Sequence, residues 1–211
     1  MSAIPPPGQE RLGQTLGQTP SQTVGPYFAY GLTPEQYGYP FRSLFGPRLA
    51  QPDAPGEHIR LHGQVLDGAG NPVDDALVEL FQVDAQGARV ANGQQVSTTG
   101  FTGFTGFGRC GTGTDAHKRF EFLTVKPGAV RPGAAPYVDL IVMMRGMLVH
   151  AFTRVWFDDE AAANERDPVL QSVPAERRAT VLARREQTPA GTAYRFDIRM
   201  QGPQETVFFD L

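Results

Sequence analysis

The chain has 211 residues, with 19 Lys and Arg against 22 Asp and Glu, a formal net charge of −3 and a pI near 5.8. No basic run supplies the electrostatic footprint of a binder of nucleic acid or anionic membrane, and the longest apolar run, Leu140 to Met144, is too short to cross a bilayer. Twenty-four glycines and 18 prolines without a collagen-like period, set between apolar runs, point to a single turn-rich domain of short strands.

Residues 1–20 are rich in Pro, Gly and Gln, carry little to bury and lack the basic-then-apolar order of a secretory signal; they read as an arm held only by a neighbour. The segment Thr19 to Phe45 follows, with Tyr27, Phe28, Tyr30, Tyr37, Tyr39, Phe41 and Phe45 in no helix or strand period. So many large rings on an irregular segment must be clamped onto something, either their own domain or a partner chain. Residues 1–56 are therefore an arm and partner-contacting segment, and 57–211 a β-sandwich domain with one or two short helices.

From Glu57 the pattern alternates. Ile59, Leu61, Gly63 and Val65 face inward between His58, His62 and Gln64, and a turn at Asp67 to Pro72 leads to a second strand, Ala76 to Phe81, apolar on both faces. The two read as a hairpin, with His58 and His62 as solvated edge histidines. Gly100 to Gly108 repeats Gly-Phe-Thr, but no Lys-Ser/Thr follows and no helix opens behind it, so it is a glycine-laced loop anchored by Phe and not a phosphate cradle. Phe120 to Val125 is a strand stopped by Lys126-Pro127-Gly128. Tyr137 to Met144 is a strand buried on both faces, paired through an Arg145-Gly146 turn with Leu148 to Phe157, on which His150 reads as a hydrogen-bonded structural histidine. Asp158-Asp159-Glu160 opens a loop or short helical turn, Ala175 to Glu186 has helical spacing, Tyr194 to Met200 alternates again, and Thr206 to Phe209 forms a last short strand.

Several chemistries are excluded by what is missing. There is no Gly-x-Ser-x-Gly elbow, and no base adjacent to Cys110 in sequence. One Cys and four scattered His do not make a structural zinc site. The lone Cys110 also rules out an internal disulfide and suits a reducing cytoplasm.

The stretches His62 to Val73, Ala76 to Gly87 and Phe122 to Gly128 resemble the core of the intradiol ring-cleavage dioxygenases. The opening Thr19 to Tyr27, the segment Tyr194 to Ile198 and the end Glu205 to Leu211 resemble the alpha-type subunits of that family. The resemblance implies a β-sandwich and an activity that cleaves 3,4-dihydroxybenzoate (protocatechuate) with O2, on a non-haem Fe(III) held by two tyrosinates and two histidines. Where the catalytic chains carry these ligands, this chain has Arg89-Val90, Val130, and Tyr137-Val138-Asp139. It is therefore expected to bind no catalytic metal and to work in a hetero-oligomer with a homologous beta subunit that carries the Fe(III). The resemblance also implies that Gly25, Pro26 and Tyr27 reach into the partner's pocket to bind substrate, with Thr23 assisting. Arg145, expected beside the vestigial site, would either pair with a substrate carboxylate or serve structure. Two further readings remain open at this level: a transthyretin-like binding module using the degenerate cavity, and a self-sufficient dioxygenase with Tyr137, Asp139 and His150 as ligands.

Overall fold

The computed structural model describes residues 21–90 and 103–210. The arm before Ser21, the start of the Gly-Phe-Thr repeat and Leu211 lie outside these residues. Nine strands dominate: β1 (His58–Leu66), β2 (Leu77–Phe81), β3 (Phe107–Gly111), β4 (Arg119–Val125), β5 (Tyr137–Met143), β6 (Ala151–Phe157), β7 (Leu182–Thr188), β8 (Gly191–Arg195) and β9 (Ile198–Arg199). Hydrogen bonds connect them in the order β3-β2-β5-β6-β7-β8-β1-β4, with β9 beside the end of β1. The path folds at β7, which pairs briefly and in parallel with β6 through Trp156 and Phe157, then antiparallel with β8. Two layers result. One holds β3, β2, β5 and β6, the other β8, β1 and β4, and Val78, Leu80, Val138 and Leu140 of the first share one core with Leu61, Val65, Phe120 and Phe122 of the second.

The mainly β sandwich agrees with the sequence pattern, while several local expectations do not. β1 and β2 are not a hairpin: the Asp67 to Asn71 turn forms, but β1 pairs with β4 and β8, and β2 lies between β3 and β5 in the other layer. A strand apolar on both faces belongs inside a sheet of a sandwich, and turn composition fixes a reversal without fixing the partner. The stretch Ala175 to Glu186 is a 3-10 turn only to Val181, after which it becomes β7, because pairing with β6 and β8 outweighs the helical spacing. Thr206 to Phe209 is not a strand, although the Thr206 and Phe209 N–H groups donate to Arg199 and Phe152 carbonyls. The described residues hold three short α-helices: α1 (Phe28–Leu32), α2 (Ala161–Asn164) and α3 (Pro168–Ser172). The signal for α3 was present as Asp167-Pro168, an N-cap followed by a proline in the first turn, and Asp167 Oδ1 accepts from the Val169 and Leu170 N–H groups.

The N-terminal segment divides between the domain's own core and the surface. Leu49, Ala50 and Ala54, within the stretch read as the arm, are buried in the core. A 3-10 turn at Pro34–Tyr37 sits on the edge strand β3: the Gln36 side chain donates to the Gly111 carbonyl at 2.6 Å and accepts from the Gly111 N–H at 2.8 Å, satisfying an edge that would otherwise be open. Gly111 is needed there, since a Cβ would lie 2.5 Å from the Tyr37 hydroxyl. Tyr30 packs against Tyr37 with the rings tilted by 60°, and Phe45 meets Phe107 edge to face, whereas Tyr27, Tyr39 and Phe41 face outward.

Candidate functional site

Two turns bring the positions of the expected metal ligands together. In the first, Asp84 Oδ1 accepts from the Gln86 and Ala88 N–H groups at 2.9 Å, and Gly87 has φ +82. A side chain at Gly87 would be strained by that φ and would place its Cβ 2.1 Å from the Ala129 carbonyl oxygen, so only glycine lets this turn press on the one after β4. The Gly128 N–H donates to the Asp84 carbonyl and locks the pair. As a result Arg89 and Val90 stand against Val130, over the start of β5 where Tyr137 and Asp139 project.

All five positions, Arg89, Val90, Val130, Tyr137 and Asp139, line one cavity of about 540 Å³, together with His150 and the apolar Phe81, Phe107, Ile141 and Phe152. An adjoining cleft of about 410 Å³ shares Arg89, Val130 and Tyr137 and adds Arg131, Arg154 and Asp167. His150 is exposed and makes no hydrogen bond among the described residues, contrary to its reading as a bonded structural histidine; it precedes β6 and lies at the cavity wall. His58 is exposed as read, with its ring bonded to the Ala54 carbonyl, whereas His62 is mostly covered and paired with the Glu186 carboxylate; neither lies on an edge strand, since β1 runs between β4 and β8.

The donors in this cavity do not suit a ferric ion. Arg154 stands opposite Asp139 across the β5–β6 ladder, its Nε donating to Asp139 Oδ1 at 2.8 Å and its Nη2 to Oδ2 at 3.3 Å. The same guanidinium lies 3.7 Å from the centroid of the Tyr137 ring. A fixed cation thus holds both oxygens of the carboxylate and covers the face of the only tyrosine in the cavity lining. Val90 and Val130 offer no donor, and among the described residues no group of three His, Cys, Asp or Glu could hold a metal ion. Ligation by Tyr137, Asp139 and His150 would require breaking the ion pair and leaving a second positive charge beside the metal.

Thr23, Gly25, Pro26, Tyr27 and Arg145 lie elsewhere. The Gly146 N–H donates to Thr23 Oγ1 at 2.8 Å, tying the N-terminal segment to the β5–β6 turn, and the Phe28 N–H donates to the Gly25 carbonyl to close a turn around Pro26 and Tyr27. Tyr27 is 75% exposed, with its ring centroid 5.8 Å from that of Tyr30 and the planes tilted by 57°. Arg145 is not among the residues that line the cavity: it lies in the turn two residues beyond the end of β5, whose stretch from Asp139 to Met143 alone spans about 13 Å at 3.3 Å per residue, and it forms an ion pair with Asp75. Thr23 and Arg145 therefore share one surface region, apart from the cavity lining.

Sequence reasoning missed Arg154, whose position opposite Asp139 depends on strand register, and Phe81, which stays 41% exposed on an otherwise buried strand because it faces the cavity.

The Dioxygenase family model matches residues 42–202. The chain is 61% identical over 198 residues to the protocatechuate 3,4-dioxygenase alpha chain of Burkholderia cepacia, covering 93% of this chain and 99% of that one. It is 33% identical over 161 residues to the beta chain of the same enzyme and organism, covering 72% of this chain and 67% of that one. Among solved structures, the dioxygenase domain of a dioxygenase carbohydrate-binding protein fusion from Streptomyces sp. SirexAA-E shares the fold, with a TM-score of 0.54, 23% identity and coverage of 87% of this chain and 97% of that one. The segments that carry the resemblance, the sandwich that places them and these matches together show that the chain belongs to the protocatechuate 3,4-dioxygenase alpha-chain family of intradiol dioxygenases.

Proposed function

We propose that this chain is the non-catalytic subunit of a protocatechuate 3,4-dioxygenase. It works in a hetero-oligomer with a homologous beta chain that holds non-haem Fe(III), and the assembly cleaves 3,4-dihydroxybenzoate with O2 between the hydroxylated carbons to 3-carboxy-cis,cis-muconate. One atom of O2 enters each of the two new carboxylates, beside the oxygen of the former hydroxyl. The observation that carries the reading is the Arg154–Asp139 ion pair in the cavity where the family's metal ligands would stand. Alpha-chain membership and likeness to a beta chain support the division of labour.

The contribution of this chain is a wall of the partner's pocket. Gly25 has open space where a Cβ would be, so its backbone is accessible to a close approach. Tyr27 presents a ring and a hydroxyl from a turn anchored at Thr23. Tyr27, Tyr39, Phe41, Leu44, Leu148 and Val149 are large apolar side chains left exposed, and burial against the partner accounts for them. Co-expression with the beta chain, iron analysis and protocatechuate-dependent oxygen uptake test the proposal. The pair should take up iron on the beta chain and oxygen on adding substrate. Stoichiometric iron with tyrosinate charge-transfer absorption in this chain alone would overturn it.

A further inference from the structure

We propose that the cavity at the former metal position is a binding site for a small aromatic carboxylate, held without being oxidised. The proposal does not rest on the subunit reading, because every group it uses belongs to this chain. At about 540 Å³ the cavity falls in the roughly 300–1,000 Å³ range of small-molecule sites. Its floor suits a flat ring: Phe81 and Phe107 meet at 4.5 Å with planes tilted by 39°, and Ile141 and Phe152, paired across β5 and β6, continue the same apolar sheet face.

Its charge selects an anion. The two carboxylates at the cavity and its adjoining cleft are committed, Asp139 to Arg154 and Asp167 to the N–H groups of Ala135, Val169 and Leu170. Arg89 and Arg131 have no ion-pair partner among the described residues, and the sequence from 91 to 102 contains no Asp or Glu that could supply one. Arg89 lines both lobes, so its guanidinium can meet a carboxylate bidentately while the ring lies among the phenylalanines. A neutral ring would leave Arg89 unpaired, and a small hydrophilic anion would leave the apolar wall wet.

The test uses 4-fluorobenzoate as the probe, followed by 19F NMR on the full chain and on its complex with the beta chain. Saturable binding is expected at one site per copy of this chain, weakening with added salt, and at least tenfold weaker for 4-fluorotoluene and for fluoroacetate. Arg89→Gln with Arg131→Gln should weaken it at least tenfold while the thermal unfolding midpoint stays unchanged, since both arginines are exposed. In the complex, the number of probe sites per pair should fall by one with the double variant. A lack of saturation in the folded full chain, equal binding by the variant, or a complex that holds the same number of probes per pair with either form would overturn the proposal. Should the chain alone fail to fold, the count in the complex decides.

Discussion

Arg154 and Asp139 face each other across the β5–β6 ladder with the guanidinium sharing both carboxylate oxygens, each side chain only about one-fifth exposed. Half-buried charges are costly when left single, so the pair should be strongly coupled. Arg154→Met is expected to cost about 1–3 kcal/mol, a value set below that for fully buried pairs because water reaches both groups. Adding Asp139→Asn should restore most of the loss. Urea denaturation of the two single variants and the double variant measures the coupling; single effects that merely add would show that the pair contributes nothing to stability.

A second ion-pair cluster ties the turn after β4 to the one after β6. Lys126 Nζ lies 2.6 Å from Glu160 and 3.0 Å from Asp159, which also accepts from the Tyr194 hydroxyl at 2.9 Å. Burial would lower the Lys126 pKa, but its bonds to Glu160 and Asp159 outweigh that and raise it above the usual lysine value. For Asp159, burial acts upward, and the bonds from Lys126 and Tyr194 outweigh it to hold the carboxyl below its ordinary range. Burial, then donation to Asp159, pushes Tyr194 up to about 12.

The signs follow from linkage. The depressed Asp159 stabilises the fold above its unfolded value of about 4, and this contribution is lost as pH falls through its folded value. Raised Lys126 and Tyr194 stabilise the fold fully below about pH 10, and that contribution is lost as pH rises above it. Urea midpoints should therefore stay level near neutrality and fall on both sides. Lys126→Met should cost about 2–4 kcal/mol at neutral pH and flatten the acid limb, because Asp159 loses the cation that helps hold its carboxyl low and so has less stability to lose on protonation. An acid limb unchanged in the variant would show that Lys126 does not hold this carboxylate.

Gly63 in β1 tests the joint between β1 and the end of β8. A Cβ there would sit 1.7 Å from the Phe196 carbonyl oxygen, and the Phe196 N–H is bonded to His62 O at 2.8 Å. Backbone cannot rotate aside as a side chain can, so Gly63→Ala must part the strands and should cost about 3 kcal/mol or more. Thermal unfolding measures this, and a midpoint within a degree or two of the parent would show that the strands separate freely.

The sandwich was legible because alternation and turn residues are local signals. Ile59, Leu61 and Val65 of β1 are buried as their alternation requires, whereas β5, read as buried on both faces, buries only Val138, Leu140 and Val142 and leaves Tyr137, Asp139, Ile141 and Met143 partly exposed. Strand partners were not legible, since pairing depends on residues far apart in the chain. A two-residue turn at Arg145-Gly146 puts Asp139 opposite Phe152; the longer turn that forms moves its partner to Arg154 and creates the ion pair that decides the character of the site. The five positions that the resemblance assigns to metal ligands share one cavity, because each lies at a short offset from a turn or run that the fold brings together. Arg145 was misplaced for the opposite reason: it is near Asp139 in sequence but at the other end of an extended strand.

The N-terminal segment offers a test in which folding and function separate. A Cβ at Gly25 meets nothing within 4 Å, and Tyr27 is largely exposed, so Gly25→Ala and Tyr27→Ala should each change the stability of the chain by no more than about 0.5 kcal/mol. If the Gly25 to Tyr27 turn forms a wall of the partner's pocket, the added methyl intrudes on a close approach and the lost ring opens the wall. Each should then lower kcat/KM for protocatechuate in the assembled complex by about tenfold, equivalent to about 1.4 kcal/mol of transition-state stabilisation, with iron content unchanged. Thr23→Val removes the oxygen that accepts from the Gly146 N–H, so it should loosen the same turn and give a smaller loss in the same direction. Unaltered steady-state kinetics in all three complexes, with the subunits still associated, would remove this segment from the reaction and leave it only an interface role.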